Sequence, residues 1–287
     1  MQRLRFVNSL GAEISFDSAP PYIFWDIDGI GIAPVFPIRT QAPGQNGYTL
    51  QTLLLDERTV TVHGHIHGNT VLDMYNIRRQ LNIVLNPLLG LGTLYYENDS
   101  GAWQAAAFCK TESYPDKIAN AQFLEIEFEC PQPYWEDQTL TQIPLAYIDG
   151  GIQFPLITPN YFGTLGYQAF IDNDGDLPVP LQFYIQGGAV NPIVKNETTG
   201  EYIQLAKYLE TWDQLYINTD INEQEVSLVT IDPMTNEPVK QNAYSYLTDG
   251  STLFKLVPGV NRLTFTSDDE NKKVSIEIVF RKRTAGV

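Results

Sequence analysis

The chain has 287 residues, with 34 Asp and Glu against 18 Lys and Arg, and its net charge of −16 is shared evenly between the halves. A surface of that sign repels phosphate backbones, which excludes a nucleic-acid reader held by basic contacts. The length suits about two domains, each able to bury its own core, and no apolar run reaches the ~20 residues of a membrane span, so no membrane insertion is expected.

The first residues lack the unbroken apolar core of a signal peptide, which gives the expectation of a protein made and kept in a cytoplasm. Cys109 and Cys130 fall on strand-like segments and are expected as a reduced, buried pair. In chain order, L-R-F-V-N and A-E-I-S-F alternate across Ser9 to Gly11 and predict a hairpin. Residues 22–47, punctuated by Pro34, Pro37, Pro43 and repeated glycines, are too Pro- and Gly-rich for a closed sheet and predict an extended arm or long loop. Strand character returns at Arg58 to Ile66.

The one long run with helical period follows. Val71, Met74, Ile77 or Arg78, Leu81, Val84, Leu85 and Leu88 recur at three- and four-residue steps. Thr70 with Asp73 makes a capping box, and Asn86 before Pro87 ends a helix expected over residues 70–86. Gly90 and Gly92 turn the chain into a strand at Thr93 to Tyr96, with further strands at Trp103 to Lys110 and Ala121 to Cys130.

Residues 136–152 hold no period and end in Gly150 and Gly151, so they read as a linker between an N-terminal domain, 1–135, and a second domain, 153–287. In the second domain short strands recur at Gln168 to Ile171, Val179 to Gln186, Ile193 to Lys195, Tyr202 to Leu205, Gln214 to Asn218, Glu225 to Thr230, Leu253 to Leu256, Arg262 to Thr266 and Lys273 to Phe280. That spacing suits an antiparallel sandwich. The fold class expected is all-β, mainly antiparallel, with one notable α-helix and two domains. Arg281, Lys282 and Arg283, the one basic cluster, read as a solvated strand end.

Few constellations carry chemistry. In V-H-G-H-I-H-G, residues two apart share a strand face, so His63, His65 and His67 project together about 7 Å apart. Three imidazoles on one face are a candidate for Zn²⁺ or Ni²⁺; the other reading is a polar strand face in water or at a subunit contact. One straight strand rarely brings three rings to a single ion, and no carboxylate or cysteine stands nearby at ligand spacing. D-N-D-G-D, residues 172–176, departs from the EF-hand register at Leu177 and Phe183 and reads as a tight turn. L-E-I-E-F-E places Glu125, Glu127 and Glu129 on one solvated face. Tyr208, Trp212 and Tyr216 are read as core residues ahead of a sugar platform. No catalytic, cofactor-binding or metal residue is assigned, no cofactor is expected, and no enzyme motif occurs.

Taken in order, several segments resemble the distal tail protein family of long non-contractile-tailed phages and prophages. They are R-R-Q-L-N-I-V-L-N-P with G-T-L-Y-Y following, F-E-C-P-Q-P-Y-W, F-P-L-I-T-P-N-Y-F-G, N-D-G-D-L-P-V-P, N-P-I-V-K-N-E-T-T-G-E-Y-I-Q-L and L-F-K-L-V-P-G-V-N-R-L-T-F. The H-x-H-x-H run is not part of that pattern. The resemblance implies a structural hub whose N-terminal domains, β-sandwich-like, assemble into a hexameric ring, with galectin-like C-terminal sandwiches projecting outward. It implies the major tail tube protein above the ring, the tail-tip protein below it, and receptor-binding proteins or host saccharide as contacts of the outer domain. DNA would pass through without specific binding, and the protein would reside at the virion tail tip after assembly in the host bacterial cytoplasm. A carbohydrate-binding adsorption module is the alternative reading. Ile30, Ile32, Val35 and Phe36 have few ways to be buried within their own domain, which points to a neighbouring subunit as the arm's partner. The strand bearing Glu125, Glu127 and Glu129 is expected at an acidic channel or its rim.

Overall fold

Alternation of apolar and polar side chains sets most strands of the first half of the chain into one main sheet, with the strands Val35–Thr40 and Thr49–Leu55 apart from it. The computed structural model describes residues 2–148, 166–232, 237–269 and 274–287. Its strands begin with β1 (Arg3–Val7), β2 (Glu13–Phe16), β3 (Tyr22–Asp28), β4 (Val35–Thr40), β5 (Thr49–Leu55) and β6 (Arg58–His67). Helix α1 (Val71–Val84) precedes β7 (Gly92–Asn98), β8 (Gly101–Ser113), β9 (Lys117–Ile118), β10 (Ala121–Cys130) and β11 (Trp135–Asp137). The main sheet runs β2-β1-β7-β8-β10-β6-β3. Its two edges meet, since Asp17 N donates to Tyr22 O at 3.3 Å and Phe24 N donates to Asp17 O at 3.1 Å.

Inside lie Leu4, Phe6, Val62, Ile66, Ile126 and Phe128, and α1 closes over them with Met74, Leu81 and Leu85. The cap forms as its spacing requires: Asp73 N donates to Thr70 Oγ1 at 3.1 Å, and Asn69 N donates to Asp73 Oδ2 at 2.8 Å. Two residues forecast on the buried stripe are exposed, Val71 and Leu88. Val71 is the first helical residue, and Leu88 lies beyond the last turn, in the 3-10 turn Pro87–Leu89, where the helical step no longer applies.

The forecast arm is corrected in part. Its first third, Y-I-F-W-D-I-D, is β3 and pairs with β6 inside the sheet. Gly29 then turns the chain at φ 85°, where a Cβ would collide with the Thr59 carbonyl. The remainder is a separate two-stranded ribbon of β4 and β5. Pro37 is tolerated there because a two-stranded ribbon has free edges that need no further N–H donor.

Among the described residues the second unit has two large antiparallel sheets and a small two-stranded one, Ala189–Val190 with Tyr208–Leu209. One large sheet orders Thr141–Pro144, Ser275–Phe280, Gln182–Gln186, Gln214–Asn218, Glu225–Ile231 and Pro238–Asn242. The other orders Ala146–Ile148, Gly166–Asn173, Gly259–Thr266, Ile193–Asn196 and Tyr202–Gln204. Phe183, Ile185, Leu215, Ile217 and Ile278 from the first share a core with Ile171, Val194, Ile203, Leu263 and Phe265 from the second. The expected strand at Leu253 to Leu256 is only an isolated bridge, Val179 to Leu256. Pro238–Asn242 was not expected, because P-V-K-Q-N is a polar edge strand without alternation.

The unit boundary differs from the sequence expectation at both ends. Unit one is Met1–Gln138 with Arg283–Val287, and unit two is Thr139–Lys282. Forecast linker residues 141–144 and 146–148 are strands; residues 149–152, the segment 154–163 and Lys273 lie outside the described residues. The chain end returns because β11 pairs with a terminal strand, Arg283–Thr284. Arg283 is therefore no solvated end: it is buried, and its Nε and Nη2 donate to Glu136 Oε1 at 2.9 and 2.7 Å.

One buried cation gathers these returns. Arg58 is 1% exposed, and all five of its N–H donors meet main-chain carbonyls. Nη1 donates to Gly29 O at 2.6 Å and to Gly31 O, Nη2 to Pro133 O at 2.8 Å and Ala285 O at 2.5 Å, and Nε to Pro133 O at 3.1 Å. The guanidinium lies over the Trp135 ring at 5.4 Å, and Trp135 Nε1 donates to Ile30 O at 3.2 Å. Replacing Arg58 by Met orphans these carbonyls and should lower the unfolding free energy of the first unit by about 3–5 kcal/mol. Arg58→Lys should rescue little, because an ammonium offers three donors without the planar fork. Urea unfolding followed by tryptophan fluorescence reads both, and a loss under about 1 kcal/mol contradicts the clamp. Cys109 and Cys130 are free thiols that burial pushes up to about 12, so Ellman's reagent at pH ~8 should find neither thiol until the protein is denatured.

Candidate functional site

The ribbon of β4 and β5 is apolar on both faces. Cross-strand partners share a face, which puts Pro37 with Leu53 and Arg39 with Leu50 on one side, and Phe36 with Leu54 on the other. Phe36 and Leu53 are each 57% exposed, and Val35, Ile38, Tyr48, Leu50 and Leu54 are exposed as well. Arg39 is the one charge between Val35 and Leu55, and its guanidinium stacks over Tyr48 at 4.8 Å near the tip. The root is held at Asp56 N, which donates to Pro34 O at 2.8 Å, and by the Arg58 clamp.

The second surface is the outer face of β3, β6 and β10. His63, His65 and His67 do share it, opposite Glu125, Phe123 and Ala121 of β10. Gly64 stands between two of the histidines because β3 presses against it; a Cβ there would collide with the Ile23 carbonyl. The same approach accompanies a bulge in β3 between Phe24 and Asp26, which leaves Trp25 as the extra residue, 56% exposed. Trp25 stacks on His65 at 5.9 Å and meets the Phe123 edge at 5.7 Å. No sequence period announces that bulge; the glycine inside an alternating strand was the available signal.

Charge is graded along this face. His63 Nε2 lies 3.6 Å from Asp28 and its Nδ1 3.9 Å from Glu125. Glu129 takes Lys110 at 2.8 Å. Burial holds the His65 imidazole below its ordinary value, and nearby His67 adds to the shift. The three rings do not converge: His65 and His67 meet edge to face at 6.5 Å, and among the described residues no group of three His, Cys, Asp or Glu is arranged to hold a metal ion.

In the second unit, Tyr208 and Trp212 are exposed, which corrects their reading as core, while Tyr216 packs against Tyr184 at 5.0 Å. Asn173 makes the turn expected of D-N-D-G-D, with its Oδ1 accepting from Gly175 N at 3.2 Å and its Nδ2 donating to Leu177 O at 2.9 Å.

His65 supplies a pH prediction. Its folded-state pKa is depressed, so the unfolded chain binds the proton more readily; the resulting stability is present above the ordinary 6.5 and lost as pH falls through the folded value. The His65 ring should titrate below 6.5 by NMR, and His65→Gln should show a shallower fall in Tm between about pH 7 and pH 5. A midpoint above 6.5 would reverse the sign.

Comparisons with known proteins place this geometry. Residues 10–130 match the model of a phage tail protein RIFT-related domain, and residues 174–283 match that of the C-terminal domain of a siphovirus-type tail component. The fold is similar to the Dit protein (gp 19.1) of phage SPP1, described as a paradigm of the hub adsorption apparatus in phages that infect Gram-positive bacteria. That match has a TM-score of 0.67 and 12% identity, over 99% of each chain. It is also similar to a chain of the phage P2 baseplate in its activated conformation with calcium, with a TM-score of 0.54 and 11% identity, over 100% of this chain and 99% of that one. No curated protein matches by sequence. With both halves matched in order and the fold shared along the full length, the chain belongs to the Dit-like distal tail proteins of siphophages.

Proposed function

We propose that this protein is a structural hub of a phage or prophage tail tip or baseplate, six copies closing into a ring that joins the tail tube to the tail-tip protein and to adsorption proteins. The observation that carries the reading is the arm. A ribbon with apolar side chains on both faces cannot bury them by folding back on one surface, and contiguous exposed apolar area marks a protein contact. A head-to-tail contact between different patches on successive copies generates a ring when its rotation closes. The likeness to a hub adsorption protein and to a baseplate chain supports the same reading.

In this reading the major tail tube protein sits on one side of the ring and the tail-tip protein on the other, and the second unit meets receptor-binding proteins or host saccharide. DNA crosses the central channel without specific binding. The net charge of −16 per copy favours that passage, and Glu127 and Glu129 at the acidic end of β10 contribute to the rim, where carboxylates repel phosphates over about one Debye length, ~8 Å at physiological salt. The role is mechanical, carried out at the virion tail tip after assembly in the host cytoplasm.

Negative-stain images of the full chain should show open-centred hexamers. Deleting Arg39 to Tyr48 should leave a folded monomer by circular dichroism and light scattering. Rings of unchanged mass after the deletion would refute the arm as the closing element.

A further inference from the structure

Resting on the ring reading above, we propose that the arm of one copy is received by the outer face of β3, β6 and β10 on the next copy, at the end built from Trp25, His65 and Phe123. A head-to-tail ring needs two different patches on each copy. Beside the arm, two of the first unit's exposed apolar areas are candidates to receive it. One is this aromatic end; the other is the outer side of α1 and its following turn, with Leu72, Ile83 and Leu88.

Charge separates the two. The arm carries one charge, Arg39, placed near its tip by the Tyr48 ring. The outer side of α1 presents Arg79 and would set cation against cation. The aromatic end borders three carboxylates, Asp26, Asp28 and Glu125, with His63 between the last two, and among the described residues its three strands carry no Lys or Arg beside Trp25, His65 and Phe123. Like charges brought together in a contact are costly, whereas opposite charges fix register and speed encounter. Exposure agrees with charge: Phe36, Leu53 and Leu54 are exposed on the ribbon, and Trp25, exposed at the bulge, is the kind of aromatic anchor that dominates protein contacts. The acidic end at Glu127 and Glu129 stays outside this contact and remains available to the rim.

The test uses the full chain and reads ring formation against concentration by mass photometry. Arg39→Glu should raise the concentration of half-assembly about tenfold or more, and Asp28→Lys with Glu125→Lys should do the same. Combining the three substitutions should bring assembly back toward wild type, since the opposed signs are restored. Trp25→Ser should weaken assembly at every salt concentration, whereas Leu72→Ser with Ile83→Ser should leave it unchanged. Unaltered circular dichroism and Tm separate each loss from unfolding. Sheet-face variants that ring like wild type, or charge reversals without rescue, overturn the assignment of the receiving face and leave the ring standing. A wild type that stays monomeric at all concentrations overturns the ring reading and this inference with it.

Discussion

The placement of the exposed ribbon in the first unit depends on the Arg58 guanidinium. It has no carboxylate against it, and burial lowers its pKa, so its charge is tolerated only because four carbonyls and an indole face replace water. Those carbonyls belong to segments distant in sequence: Gly29 and Gly31 at the start of the arm, Pro133 before β11, and Ala285 at the end of the chain. Arg58 itself follows the arm directly. One side chain thus fixes both roots of an exposed ribbon and the segment that comes back from the second unit.

That clamp gives the arm its mechanical character. A ribbon this apolar on a loose tether would pay a large ordering cost on docking, and would collapse onto other surfaces before it did. Fixing its base in advance would reduce the freedom lost in any association, and the β4–β5 pairing orders the ribbon itself. The apolar surface left in water is the standing cost, offset by packing elsewhere in the unit, where α1 and the curled sheet bury Met74, Leu81, Phe6 and Phe128 together.

The histidine row has a related logic. Its alternation belongs to the strand, but its spacing around Gly64 serves the approach of β3, and the bulge accompanying that approach turns Trp25 outward. The imidazoles then act as neighbours of an aromatic and of carboxylates, with His63 between Asp28 and Glu125 and His65 under Trp25. A run that suggests metal when read along one strand becomes a graded polar and aromatic surface once three strands lie side by side.

The sequence alone determined the elements whose signal is local. The Thr70 cap, the helical step through Met74 and Leu81, the alternation of β10 and the all-β class follow from side-chain period and backbone chemistry within a few residues. Only the tertiary structure decided that residues 22–28 join the sheet, that Arg283 is buried against Glu136, and that Arg58 is a clamp. Each of these depends on a partner far away in the chain: β6 for β3, β11 for the terminal strand, and four carbonyls for one guanidinium. An arginine opening a strand looks like any solvated charge until the fold closes water out around it, and no period within a short window encodes that closure.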